Sequence, residues 1–184
     1  TLAELSLLDQ VWLIRQDGDS DLLDYVANGG TLVTEWRAST WAITNNAMLD
    51  ATVTQYAYVN SNETISFTAQ GQALGLGDAL GSSYSNGGST QFFEEFTNIG
   101  SEVDIVATFN GGRIAGISGM YGAGNVLSLG WDWQDVGTSN SITQSLVNDI
   151  SGVSFRSTSV PEPSTLAIFA LGIMGLASRR FKKQ

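Results

Sequence analysis

Residues Asp9 to Trp36 constrain the fold more than any other segment. They run, in order, through an apolar stretch, a turn, an amphipathic stretch, a Gly-Gly stop and a second apolar stretch. Gln10-Val11-Trp12-Leu13-Ile14 has the length and apolar density of a buried strand. Asp17-Gly18-Asp19-Ser20 supplies a turn, with Asp19 or Ser20 as the N-cap of a helix. From Asp21 to Asn28, helical spacing puts Leu22, Leu23, Val26 and Ala27 on one side. Gly29-Gly30 ends that helix, and Thr31 to Trp36 reads as a second strand. A strand, helix and strand in so short a span require parallel pairing through a right-handed crossover. The body is therefore expected to be α/β.

Ser39–Asp50 reads as a helix, and Ala51–Val59 and Thr64–Thr68 as strands turned at Asn60-Ser61-Asn62. Gly71–Gly88 is rich in Gly and Ser and predicts a long surface loop, and Gln91–Phe96 a helical turn. Val103–Phe109 and Arg113–Ser118 predict a hairpin about Asn110-Gly111-Gly112. Tyr121-Gly122-Ala123-Gly124 turns into a strand from Asn125 to Trp131. Ser141–Ile150 closes the body as a helix with Ile142, Leu146, Val147 and Ile150 on one face. These elements predict a three-layer α/β sandwich over residues 1–156, built on a mixed, mainly parallel sheet, with a separate C-terminal hydrophobic helix.

The segments DLLDYVANGGTLVTEW and YGAGNVLSLGWDW resemble the class I glutamine amidotransferase-like superfold, a flavodoxin-like architecture, including its ThuA-like branch. The resemblance covers roughly residues 5–152 and implies a functional elbow at the carboxyl end of the second strand. It also implies a further strand upstream of Thr1. Amidotransferase chemistry needs a Cys at that elbow and a later His. Here the elbow reads Glu35-Trp36-Arg37, and the chain has neither Cys nor His. The resemblance thus carries a fold and no chemistry.

The C-terminal residues Val160–Gln184 form three blocks: Pro161-Glu162-Pro163, an apolar run, and the cluster Arg179, Arg180, Lys182 and Lys183. The prolines hold residues 157–164 as an extended, accessible linker. Residues 165–178 predict a helix of roughly 21 Å, short of the ~30 Å bilayer core but extendable by snorkelling basic stems. Positive charge at 179–184 favours the cytoplasmic side. This layout resembles the PEP-CTERM sorting signal. The resemblance implies export, transient anchoring in inner-membrane lipid, processing by an exosortase at Pro161-Glu162-Pro163, and a final place at the cell surface or outside it. An exported chain needs an N-terminal signal peptide, so residues preceding Thr1 are expected.

Residues 1–158 hold four Arg, no Lys and 17 Asp or Glu, a net of −13, whereas residues 159–184 carry +3. So acidic a body repels nucleic acid, whose binding rests on basic contacts to phosphate. The absence of Cys and His removes disulfides, Ser–His triads, thiolate chemistry and Cys or His zinc sites from this chain. No cofactor and no metal is expected.

Ligands of doubly wound folds bind beyond the carboxyl ends of the strands. Two such ends join Trp to carboxylate: Glu35-Trp36 with Trp41, and Trp131-Asp132-Trp133 with Asp135. Two readings stand. These residues form a cleft for an extracellular polysaccharide, or the tryptophans pack the sheet edge and the carboxylates are solvated. The body is accordingly expected to be a non-catalytic binding or structural module. The alternative is a carbohydrate-active enzyme using Glu35 and Asp132. Asp17, Asp19 and Asp21 lack the Gly and Glu that a calcium loop needs further on, and better suit helix capping. Gly75, Gly77 and Gly81 echo a phosphate loop without its Lys and read as loop flexibility, while Tyr121, Gly122 and Gly124 shape a turn.

Overall fold

A short helix, α1 (Leu2–Leu5), precedes strand β1 (Gln10–Ile14), helix α2 (Ser20–Ala27) and strand β2 (Thr31–Glu35). Asp19 caps α2 as its sequence requires, accepting a hydrogen bond from the Leu22 amide at 3.0 Å. β1 and β2 pair in parallel, Gln10 beside Thr31 through Ile14 beside Glu35. The computed structural model describes residues 1–59, 63–86, 91–133 and 140–155. The chain divides into two units, Thr1–Ser154 and Phe155–Gln184. The expectations for the 60–62 turn, Asp135, the 157–164 linker with Pro161-Glu162-Pro163, the 165–178 helix and the basic cluster lie outside the described residues. Among the described residues no helix is long and apolar enough to cross a membrane.

After β2 come α3 (Arg37–Ser39), continued by a π-helical turn from Thr40 to Asn45, then β3 (Thr52–Val59), β4 (Glu63–Phe67) and α4 (Ala69–Leu74). β5 (Ser83–Asn86), β6 (Gln91–Thr97), β7 (Asp104–Thr108), β8 (Ile114–Tyr121), β9 (Gly124–Leu129) and α5 (Asn140–Ser151) complete the body. One nine-stranded sheet has the order β1-β2-β9-β8-β7-β4-β5, and β6, paired with β3, joins it at β8. The expected 103–109 and 113–118 hairpin is present as β7 and β8.

The sheet is mixed, but it is not mainly parallel. Among the described residues only β1–β2 and β2–β9 pair in parallel, and the other six pairs are antiparallel. Tight turns join β7 to β8 and β8 to β9, and such turns admit only antiparallel neighbours. Gln91–Phe96 is also a strand and not a helical turn, because β6 finds partners on both β3 and β8. The helix expected over 39–50 begins at Arg37 and ends at Asn45. Within the expected 71–88 loop, the structure forms most of α4 and all of β5, with Gly71 and Leu76 buried.

On one side of the sheet Leu22, Tyr25, Val26, Leu32, Trp41, Ile43, Ile117 and Val126 belong to one core cluster, so α2 and the Thr40–Asn45 turn share an apolar face with β2, β8 and β9. The glycine segment after α4 has a defined task. The Gly77 and Ala79 amides donate to the Asp149 carboxylate of α5 at 3.0 and 2.6 Å, and the Leu80 amide at 3.4 Å. The backbone that echoes a phosphate loop thus cradles an internal carboxylate. Asp149→Ala would orphan these donors and is expected to lower unfolding free energy by about 2 kcal/mol. A urea unfolding curve reads that loss, and amide exchange should accelerate first at Gly77 and Ala79.

Candidate functional site

The carboxyl ends of β1, β2 and β9 lie side by side, and the first two strands break sharply. Arg15 follows β1 with φ 56°, and Trp36 follows β2 with φ 41° and ψ −119°. Non-glycine residues rarely adopt such angles, so both positions are strained and held by their surroundings. The Trp36 amide donates to the Leu129 carbonyl at 2.8 Å, which fixes the elbow against β9. Below it, Thr34 Oγ1 lies 2.7 Å from Ser128 Oγ and 3.1 Å from Ser39 Oγ, a buried hydroxyl chain tying β2 to β9 and α3.

Arg15 organises the charges. Its Nη2 donates to Asp132 Oδ1 at 2.5 Å, and its Nε lies 3.7 Å from Glu35 Oε2. Glu35 is fully buried and Asp132 is 3% exposed, whereas Arg15 keeps a third of its side chain in solvent. Glu35 and Asp132 therefore face one site, with a guanidinium shared between them. That guanidinium also sits 6.0 Å from the centroid of the Trp36 ring.

The tryptophans divide by exposure. Trp36 is half-buried and reaches solvent. Trp41, Trp131 and Trp133 are buried at 6%, 0% and 2% exposure, the packing role weighed above for the sheet edge. Trp133 meets Trp12 edge-on at 5.8 Å, Trp131 stands edge-on to Phe109 at 6.4 Å, and Trp41 lies against Gly18. Of these four tryptophans only Trp36 keeps a substantial part of its surface in solvent. Among the described residues no group of three or more carboxylate, imidazole or thiol side chains is arranged to hold a metal ion.

Sequence reasoning passed over Glu94, which the fold brings to the same end of the sheet. The Glu94 amide donates to the Gly130 carbonyl at 2.6 Å, next to Trp131-Asp132. Its carboxyl is 1% exposed; Thr40 Oγ1 donates to Oε1 at 2.7 Å, and Oε2 has no hydrogen-bond partner among the described residues. Burial pushes this carboxyl up to about 7, against the opposing pull of the Thr40 bonds and the Arg37 charge.

Comparison with known proteins bears separately on the tail and on the body. Residues 159–183 match the PEP-CTERM protein-sorting motif. That motif implies an exosortase as processing partner, export, and a membrane-associated precursor. No curated protein matches the sequence. Among solved structures, the chain is similar to a cytoplasmic protein from Salmonella typhimurium, with TM-score 0.60, 14% identity, 83% of this chain and 74% of that one. It is also similar to a ThuA-like protein from Bacteroides uniformis, with TM-score 0.57, 11% identity, 82% of this chain and 71% of that one. A third likeness is to a GH42 β-galactosidase, with TM-score 0.53, 12% identity and 79% of this chain but only 21% of the enzyme. At such identities the likeness is one of fold alone, and the ThuA-like neighbour agrees with the ThuA-like resemblance of the body.

Proposed function

We propose that the chain is an exosortase-sorted protein whose body is a non-catalytic binding module of the cell surface or extracellular matrix. The observation that carries this reading is the sorting motif at 159–183 attached to a domain without Cys or His. In this reading residues 1–156 form a three-layer α/β sandwich, residues 157–164 present Pro161-Glu162-Pro163 to the exosortase, and residues 165–178 anchor the precursor. Arg179, Arg180, Lys182 and Lys183 stay in the cytoplasm, and no cofactor takes part. The body binds an extracellular polysaccharide at the elbow, with the Trp36 face as platform and the Arg15 cluster as its polar floor. Trp41, Trp131 and Trp133 are core side chains in this reading and do not touch the ligand. The Arg15 guanidinium pairs with both Glu35 and Asp132 and so engages the two carboxylates that a glycosidase would use, which favours binding over hydrolysis.

Burying Leu166, Ile168, Phe169, Leu171, Ile173, Met174 and Leu176 gains roughly 1.5–3 kcal/mol for each side chain. That is enough to hold a short span with its charges at the headgroups. In cells able to export but lacking the exosortase, the full chain is expected to sediment with membranes, and a chain ending at Thr158 to stay soluble. Equal solubility of both would refute the anchoring role. For the body, polysaccharide binding without turnover, weakened at least tenfold by Trp36→Ala, is expected. Turnover abolished by Glu35→Gln would establish the enzymatic alternative.

A further inference from the structure

Glu94 is one of the buried ionisable groups that the reading above leaves unused, and its surroundings are unusual. It sits on β6 under the turn that follows the elbow, with one carboxyl oxygen held by Thr40 and the other without a partner among the described residues. The turn above it, Thr40–Asn45, is π-helical, a geometry that is rare overall but frequent at functional sites. Its interior bonds give way to Met48–Ala42 and Ala47–Ile43 backbone contacts, and Ala47 itself has φ 49°. The same turn drives Trp41, Ala42 and Ile43 into the core. Glu94 and the core are thus connected through a single six-residue element.

We propose that Glu94 is a proton-controlled latch: while its carboxyl is protonated the Thr40–Asn45 turn stays seated over it, and loss of the proton releases the turn together with Trp41. The cause is desolvation. An ionised carboxylate at 1% exposure, whose hydrogen bonds come from Thr40 alone and leave Oε2 without a partner among the described residues, lacks the full set that makes a buried charge tolerable. Local opening of one turn restores water at lower cost than unfolding the sheet. Of the charged groups around Glu94, Arg37 acts on it and favours the ionised form. Arg15, Glu35 and Asp132 form their own cluster at the strand ends. Glu95 is held by Arg113 together with Glu63.

The direction of the response follows from the raised position of this carboxyl. Its ordinary value is 4.5, and burial moves it to about 7 in the folded body. Between those values the folded state holds a proton that the open state gives up. Stability from this group is therefore greatest at the acid end and falls as pH rises through about 7. An exported protein meets the pH of its surroundings, so the latch would respond where the protein works. The turn continues α3, which begins at Arg37 next to Trp36, so release also loosens the elbow. That coupling rests on the binding role proposed for Trp36, but the latch does not.

Acrylamide quenching of tryptophan fluorescence in the full-length protein, followed from roughly pH 5 to pH 9, tests the latch without any ligand. In the wild type, quenching is expected to rise with a midpoint near the Glu94 value. Trp41→Phe should remove most of the rise, and Glu94→Gln should abolish it. Arg37→Gln, a change at an exposed side chain, removes the cation that favours ionisation and should move the midpoint upward. A wild type with no transition, or a transition that survives Glu94→Gln, would overturn the proposal. Should Glu94→Gln fail to fold, an unmoved midpoint in Arg37→Gln would overturn it equally. Failure of polysaccharide binding leaves these outcomes unaffected, so the two readings fall separately.

Discussion

Arg15→Met is expected to destabilise the body by about 3 kcal/mol, the low end for breaking a buried ion pair because part of the guanidinium is already wet. The side chain it removes is shared by Glu35, which is fully buried, and Asp132, at 3% exposure. Both carboxylates would stay at the crowded ends of β2 and β9 without the cation that offsets them. Methionine keeps much of the apolar stem, so the loss reports charge more than packing. Adding Asp132→Asn should return part of the stability, because one of the stranded charges is then gone. A double-mutant cycle by urea unfolding measures this coupling, and simple additivity of the two changes would contradict the shared-cation account. Arg15 also carries φ 56°, a strain that Arg15→Met and Arg15→Lys both leave in place. Arg15→Lys keeps the charge and loses the fork geometry, so it separates the two.

The β1–α2–β2 segment was legible because local signals agreed: apolar runs of strand length, a cap at Asp19 and a Gly-Gly stop all pointed to one answer. β6 was not. In Gln91–Thr97 the buried Phe93 and Phe96 are three apart, which imitates a helix, and Glu94 and Glu95 between them are both buried. A strand that tucks carboxylates inward erases the alternation by which strands are recognised. The partners that permit it, Thr40 and Arg113, are 54 and 18 residues away, beyond any local window. The parallel fraction of the sheet was overestimated for a related reason, since one βαβ unit says nothing about strands joined later by hairpins. In the site, Glu35 and Asp132 were named because each lies at a strand end, but the pairing of β2 with β9 that brings both to one Arg15 side chain was not legible. Arg15 and Glu94 were passed over. The available signal for Arg15 was scarcity: it is one of four basic residues in a segment with 17 carboxylates, directly after a buried strand. Glu94 offered no such signal, because its burial comes wholly from tertiary packing.

Gly130→Ala should be more damaging still, costing upwards of about 4 kcal/mol, a range reached by few single substitutions. Gly130 follows β9 where three backbones crowd together. Its carbonyl accepts from the Glu94 amide at 2.6 Å, and its amide donates to the Ala115 carbonyl at 2.8 Å. A Cβ there would stand 2.1 Å from the Glu94 carbonyl oxygen and 3.1 Å from that of Ala115. Both obstacles are main chain of paired strands, so no rotamer change relieves the overlap. One of the two bridges must open. Total stabilities of domains are about 5–15 kcal/mol, so such a loss would leave much of the protein unfolded at ordinary temperatures. Gly81→Ala serves as the contrast: its Cβ would meet nothing within 4 Å, and its φ of 85° makes the cost conformational alone, about 1 kcal/mol. Soluble yield and the urea midpoint of the two variants compare close approach with backbone freedom directly. A Gly130→Ala protein as stable as Gly81→Ala would mean that β6 can move away from β9. Glu94 and Asp132 would then no longer be held at one end of the sheet by this contact.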